Sequence, residues 1–405
     1  MKNLSKIGLG ILTSVGGYLE VGSIGTSLQA GARFRYELLW ALLIGTVCVA
    51  FLTEMTGRLA AVSHHTVVDA MRKRFGFGFQ VWPLASQVIV DLFVLASEIG
   101  GASLALELAT GVSMRVWAIP IATAIWALLW LGTFDAIEHG VAVLGLVTLC
   151  FVVAALELGP EWRELRQSLV PHMPSADAGQ YAYLAVGILG ATISPYLVTF
   201  YSSGGVEEKW TSKDLMPNRM VAAVGMGFGS LVAMAVIVVS ALVLAPRGVK
   251  AETYQEAAFI LTIPFQRWGY PLFWVSLAIG CIGAALEISL DVSYIVSQSF
   301  GWDWGESQKP AEEARFALIY TLAMPIAAIP ALIGLDPLKL TMFSMALTVI
   351  ALPIVVGPLI VIMNDEQYLK THTNGIVTNV AVVLIVALAF LLAIVAIPVQ
   401  MIGGS

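Results

Sequence analysis

The feature that most constrains this chain is a succession of apolar stretches, each long enough to cross a bilayer and separated only by short polar turns. A helix of about 20 apolar residues spans the hydrocarbon layer. Measured by that length, spans fall near residues 7–30, 38–62, 84–109, 116–134, 138–157, 181–203, 219–245, 270–299, 315–334, 339–363 and 376–400, which predicts about eleven transmembrane helices. With 58% hydrophobic and only 12% charged residues, the 405-residue chain has too few polar side chains to clothe a soluble globule. Residues 1–405 therefore read as one all-α polytopic domain in a lipid bilayer, since no connection is long enough to separate soluble domains.

The formal charge of −6 is spread over many loops and leaves no basic footprint for nucleic acid. Cys48, Cys150 and Cys281 all lie in apolar segments without Cys-x-x-Cys or Cys/His spacing, which argues against a zinc site or a disulfide framework. No cofactor is expected, and the sequence names no protein partner. Met1 to Lys6 leads into a long segment carrying Glu20, unlike a cleavable signal peptide. A cytoplasmic N-terminus puts Lys2, Lys6, Arg58, Arg72, Lys73, Arg74, Lys209, Lys213, Arg219, Lys309, Arg315 and Lys370 inside, twelve of the 21 basic residues. That bias favours the N-terminus inside.

Two interruptions point to function. In the first span, Gly16-Gly17-Tyr18-Leu19-Glu20-Val21-Gly22-Ser23-Ile24-Gly25 sets a carboxylate among four glycines. Glycine weakens helix, and opened backbone survives at membrane depth only where protein or a watery cavity surrounds it. In the sixth span, Gly190-Ala191-Thr192-Ile193-Ser194-Pro195-Tyr196 repeats the pattern halfway along the chain. Paired interruptions in two halves mark a transporter's substrate site. Five helices per half, about residues 7–157 and 181–363, would make the repeats inverted, with an added eleventh helix at about 376–400.

Each intramembrane polar residue has a plain reading beside the functional one. Glu20 costs at least about 2.5 kcal/mol at the midplane unless a cation or water meets it; the plain alternative is an interhelical ion pair or a protonated Glu. Ser23 can offer a hydroxyl to the same ligand, although serines also occur at ordinary helix contacts. Pro195 has no N–H and so frees the carbonyl of Ala191 one turn earlier, beside the Ser194 hydroxyl; a simple kink with Ser194 bonded to its own helix is the alternative. A carboxylate, hydroxyls and a carbonyl form an oxygen set suited to hard cations. Asp91 and Glu98 are seven apart on one helical face and could pass ions or protons. Glu287 and Asp291, four apart, either line a water-filled vestibule or form a polar stripe paired with other helices. Glu54 and Arg58 read as an i,i+4 ion pair.

Several segments resemble the Nramp family of divalent-metal transporters. They are Gln29-Ala30-Gly31-Ala32 followed by Tyr36-Glu37-Leu38-Leu39-Trp40, then Gly57-Arg58-Leu59, Arg74-Phe75-Gly76, Gly190-Ala191-Thr192 and Gly334-Leu335-Asp336-Pro337. The resemblance implies a LeuT-like 5+5 inverted repeat with broken helices 1 and 6, and a bacterial inner-membrane location. It also carries departures. Glu20-Val21-Gly22-Ser23 stands where the family has Asp-Pro-Gly-Asn, and Ser194-Pro195-Tyr196 where it has Met-Pro-His. Met345 falls at the family's tenth-helix glutamine, Leu95 at one of its third-helix acids, and residues 316–332 contain no arginine.

These swaps predict a secondary transporter that works by alternating access on a hard divalent cation, Mg²⁺ first and Mn²⁺ next, without tight proton coupling. Glu20, Ser23, Ser194 and the Ala191 carbonyl are the expected ligands, with Gly22, Tyr196 and Met345 around them and Asp91, Glu98, Glu287 and Asp291 as a candidate ion path. Two other readings compete: a carrier of a small organic amine or similar solute, with Glu20 pairing the amine, and a non-transporting membrane sensor.

Overall fold

A computed structural model describes residues 20–132, 145–172, 174, 177–305 and 309–403. All regular elements among them are helices. Nine are long and apolar enough to cross a membrane, and they coincide with nine of the eleven expected spans. The first span is described only from Glu20 and the fifth only from residue 145, where the apolar helix Leu146–Glu157 lies. Gly16 to Leu19, on the far side of the first interruption, are outside the described residues.

The helices that position the site are α1 (Val21–Phe34), α2 (Leu39–Ser63), α3 (Phe77–Thr110), α4 (Met114–Leu131), α5 (Ala178–Thr192), α6 (Pro195–Glu207), α7 (Met226–Val243), α8 (Gly269–Phe300), α9 (Ala314–Ile333), α10 (Pro337–Met363) and α11 (Ile376–Gly403). At the centre α3 and α8 pack along each other, with α10 and α9 against α3. Val94 to Ala105 of α3 are all buried, as expected of a helix apolar on every side. By contrast, α4 buries only Ala118, Ile121, Ala122 and Ile125, a single stripe at helical spacing, and turns its other apolar side chains outward. The contrast separates core helices from those that face lipid.

Between helices the hydrophobic effect has little to act on in lipid, so close backbone approach and hydrogen bonds set the packing. Thus α1 lies against α7 where Gly31 meets the Ile237 carbonyl, and Ser240 Oγ donates to the Leu28 carbonyl at 2.6 Å. The turn Gly334-Leu335-Asp336-Pro337 has a direct explanation. Gly334 ends α9 in the left-handed region (φ 81°), Asp336 caps α10 by accepting from Lys339 N–H at 2.9 Å, and Pro337 occupies the first helical position. At one end of the bundle Arg58 and Glu54 form the expected ion pair at 3.1 Å. Arg58 also donates to the His372 carbonyl and to Asn374 Oδ1, tying α2 to the segment before α11.

Candidate metal site at two helix breaks

Glu20 sits at the entry to α1 in extended backbone (φ −80°, ψ 168°), and the helix starts at Val21. Its own side chain does not cap that helix. Glu98 of α3 does so instead, taking the Val21 N–H on Oε1 at 3.1 Å and Oε2 at 3.3 Å. A carboxylate there satisfies an orphan donor and faces the positive end of the helix. Tyr254 holds the other side of the peptide, its hydroxyl donating to the Val21 carbonyl at 2.9 Å. Because other residues anchor the backbone, the Glu20 side chain is left for the interior. It is 1% exposed, and among the described residues the Tyr196 hydroxyl is the polar group that lies against its carboxylate.

The second interruption is a break, not a kink. Helix α5 ends at Thr192, the Ile193 N–H closes on the Leu189 carbonyl at 2.8 Å, Ser194 is extended, and α6 begins at Pro195. The residue that would bond the Ala191 carbonyl in a continuous helix is Pro195, which has no N–H to give. Ser194 does not bond back to its own helix; its Oγ is buried without a partner.

The two breaks meet at Met345 of α10. A methyl group placed on Gly22 would stand 2.8 Å from Met345 Sδ and 3.0 Å from Glu20 Oε1, so the thioether and the carboxylate both pack closely against this glycine. Gly190 of the second break presses on the Met345 carbonyl, where any β-carbon would collide with backbone. Both glycines are needed for this approach. Tyr196, fully buried on α6, lies beside the Glu20 carboxylate, and Ser23 is buried one residue past Gly22. Glu20, Ser23, Ala191, Ser194, Gly22, Tyr196 and Met345 therefore all lie on or against the two facing breaks.

The four acids expected along an ion path have distinct surroundings. Asp91 and Glu98 turn to different partners, Glu98 to the start of α1 and Asp91 to Asp291 on α8. Nor do Glu287 and Asp291 share an open vestibule, because Asp291 is fully buried and Glu287 only partly so. Asp291 accepts from Thr199 Oγ1 at 2.7 Å and Gln87 Nε2 at 2.8 Å, whereas neither Asp91 oxygen has a donor. Among the described residues, Glu20, Asp91, Glu98 and Asp291 form no ion pair with a base. Such a core attracts cations.

Sequence reasoning missed Gln87, Thr199, Tyr254 and Cys281, the last of which borders Glu98. Gln87 had a signal, since it stands four residues before Asp91 on the same face. Tyr254 had none, because it lies in the connection ahead of α8, and only the fold brings it to α1.

A buried carboxylate at the start of α1 and a break between α5 and α6, within a bundle of apolar helices long enough to cross a membrane, are the marks of an integral membrane transporter. A model of the family described as natural resistance-associated macrophage protein-like, Nramp, matches residues 10–398, and the chain belongs to that family. It is 28% identical over 400 residues to the divalent metal cation transporter MntH of Ralstonia nicotianae, covering 93% of this chain and 87% of the relative. Its fold matches the manganese transporter of Eremococcus coleocola with a TM-score of 0.76 at 20% identity, over 98% of this chain and 87% of that one. It also matches MhsT in complex with L-phenylalanine, with a TM-score of 0.65 at 14% identity over 96% and 97% of the two chains. The inverted-repeat architecture is thus that of the LeuT-like group.

Proposed function

We propose that this protein carries a divalent metal cation across the membrane, bound at the two helix breaks. Glu20 supplies the anionic ligand, and Ser194 Oγ, Ser23 Oγ and the Ala191 carbonyl supply neutral oxygens. The observation that carries this reading is a buried Glu20 carboxylate at the start of α1 that no base neutralises, and a buried Ser194 hydroxyl without a partner at the second break, both among the described residues. Buried polar groups are normally hydrogen-bonded, and a bare carboxylate in hydrocarbon is costly, so a cation is the natural counterpart. The relatives support the same cargo, since the Ralstonia protein is named for divalent metal cations and the Eremococcus protein for manganese.

An oxygen set admits both Mg²⁺ and Mn²⁺. Side chains packed to within 3.0 Å of the Gly22 β-carbon position favour an ion over an organic amine. The cation reaches the site from either side by rocking of one set of helices against the other around the fixed breaks. Tyr196 in place of a histidine, together with a Glu98 carboxylate held by the Val21 N–H, argues against tight proton coupling. The protein resides in a bacterial inner membrane with its N-terminus in the cytoplasm, as the basic-residue bias indicates.

Proteoliposomes carrying an ion-sensitive dye inside test the reading. Mn²⁺ or Mg²⁺ added outside should enter, faster with the interior negative, and without matching acidification of a co-trapped pH dye. Entry of amines but of neither ion would overturn it.

A further inference from the structure

The connection between α7 and α8 lies at the end of the bundle where α1 finishes, yet much of it is core: Ala251, Tyr254, Ala257, Ala258, Ile260 and Leu261 are all fully buried. Connections normally run over the surface, because a buried one must find partners for its polar groups. This one finds them on α1. Glu252 pairs with Arg33 in the last turn of α1 at 3.2 Å, while Tyr254, two residues on, reaches toward the start of the same helix and donates its hydroxyl to the Val21 carbonyl at 2.9 Å. Thr253 fixes the short turn that carries the ring, accepting from Glu256 N–H at 3.3 Å. The helix is shaped to admit the phenol. A β-carbon on Gly25, one turn after Val21, would collide with the phenol oxygen and stand 2.6 Å from Leu338 Cδ1 of α10, so glycine keeps this passage open. We infer that Tyr254 is a positioning residue for the transported ion: through Val21 it fixes the backbone that aims the Glu20 carboxylate, so ion affinity depends on the α7–α8 connection being seated against α1.

This inference rests on the reading of Glu20 as the ion's carboxylate ligand. Glu20 stands in extended backbone just ahead of α1, where the first N–H groups of a helix have no intrahelical partner, so its orientation must be set from outside the helix. Glu98 holds the Val21 N–H, and one such bond leaves the chain free to pivot about it. The Tyr254 bond on the Val21 carbonyl removes that freedom, because both peptide groups flanking Val21 are then held. A plain packing role is the competing view: the ring fills the space beside Glu98, Cys281 and Thr341, and its hydroxyl takes the nearest acceptor. The two views part on the phenylalanine variant, which keeps the buried ring and drops the bond.

The test is Mn²⁺ titration of the purified full-length protein in detergent, paired with initial Mn²⁺ uptake rates in proteoliposomes over a range of concentrations, which give KM and kcat separately. In Tyr254→Phe both Kd and KM should rise by about tenfold or more, the scale for groups that orient a metal ligand without touching the ion. Its kcat should stay within about twofold, the pattern of lost ground-state binding. Gly25→Ala reaches the same bond from the other side, pushing the phenol off Val21 with its hydroxyl intact, and should raise Kd and KM likewise; it decides alone if Tyr254→Phe does not fold. Glu252→Gln loosens only an exposed ion pair, which is worth little, and should leave KM within about twofold. Kd and KM unchanged in folded Tyr254→Phe, with any loss confined to kcat or stability, overturn the inference and leave the ring as packing. The function reading still stands in that case if Glu20→Gln abolishes Mn²⁺ binding. Mn²⁺ binding unchanged in Glu20→Gln would instead bring down the reading of the site itself.

Discussion

Two groups of buried acids lie within the same bundle, and they are treated in opposite ways. Around Asp291, Thr199 and Gln87 each donate to the carboxylate, and Gln87 also donates to Thr199 Oγ1 at 2.6 Å. Glu98 is likewise occupied, holding the first N–H of α1. At the helix breaks, Glu20 and Ser194 are just as buried, yet among the described residues Ser194 Oγ has no partner and the Glu20 carboxylate has only the Tyr196 hydroxyl beside it. Burial therefore does not distinguish these acids; donors set Asp291 and Glu98 apart from Glu20, while Asp91 is set apart by its carboxyl partner Asp291. A folded protein normally satisfies its interior polar groups, and a site kept unsatisfied is one that expects a ligand.

The sharpest way to break this contrast is Glu20→Gln. The variant keeps size and shape but removes the charge that offsets a divalent ion's lost hydration, so uptake should fall to background while thermal unfolding stays near wild type. Full uptake by a well-folded variant would move the site elsewhere. Next in size is Gly22→Ala. The added methyl would press on Met345 Sδ and Glu20 Oε1, at 2.8 and 3.0 Å, and displace the carboxylate assigned to the ion. Transport should drop by roughly tenfold, as perturbed metal sites commonly do. Because the thioether end can swing aside, unfolding should shift little. A large loss of stability with unchanged affinity would show that this contact is ordinary core.

The Asp91 and Asp291 pair should respond in the other direction. In Asp291→Asn the oxygen still accepts from Thr199 and the amide can donate to Asp91, while the Gln87 amide, which now gives to Oδ2, keeps its bond to Thr199 Oγ1. One like charge also disappears from a fully buried pair. Unfolding temperature measured in detergent should hold or rise, and initial uptake rates should stay within about twofold, well under the loss a disturbed metal site brings. Uptake reduced to background would make this cluster part of the cargo path and erase the distinction between the two groups.

Much of this organisation was legible in the sequence. Span length located the described crossings, and glycines flanking Glu20 and Ser194-Pro195 marked both breaks, because periodicity and helix-breaking chemistry are local properties. Which acid meets which partner was not legible. Asp91 and Glu98 share a face by spacing, yet each is directed by a different helix, and Tyr254 reaches Val21 from 233 positions away. Helical spacing fixes neighbours along one helix and says nothing of the helix that packs against it. The position of Met345 shows the same limit: its alignment hinted at the pocket wall, but only the two glycine contacts set its sulfur beside the carboxylate.

The smallest effect is expected at Glu98, and it separates a capping role from a proton relay. Among the described residues this side chain accepts the Val21 N–H, at 3.1 and 3.3 Å, and borders Cys281. Glutamine offers one carbonyl oxygen for the same bond but cannot carry a proton between sites. Glu98→Gln should therefore keep uptake within about twofold, with a stability cost of about 0.5–2 kcal/mol, the range for altered helix caps. Leucine removes the acceptor and strands a buried N–H, at a cost of about 1–3 kcal/mol. It should also loosen the entry to α1 that orients Glu20, so Glu98→Leu should transport markedly less than Glu98→Gln. The measurement is paired uptake and lumenal pH in liposomes for wild type and both variants. Equal, complete loss in Gln and Leu, together with cargo-dependent acidification present in wild type and absent in both, would assign Glu98 to proton movement. A graded series of wild type, Gln and Leu, with no acidification in any, is the outcome that capping predicts.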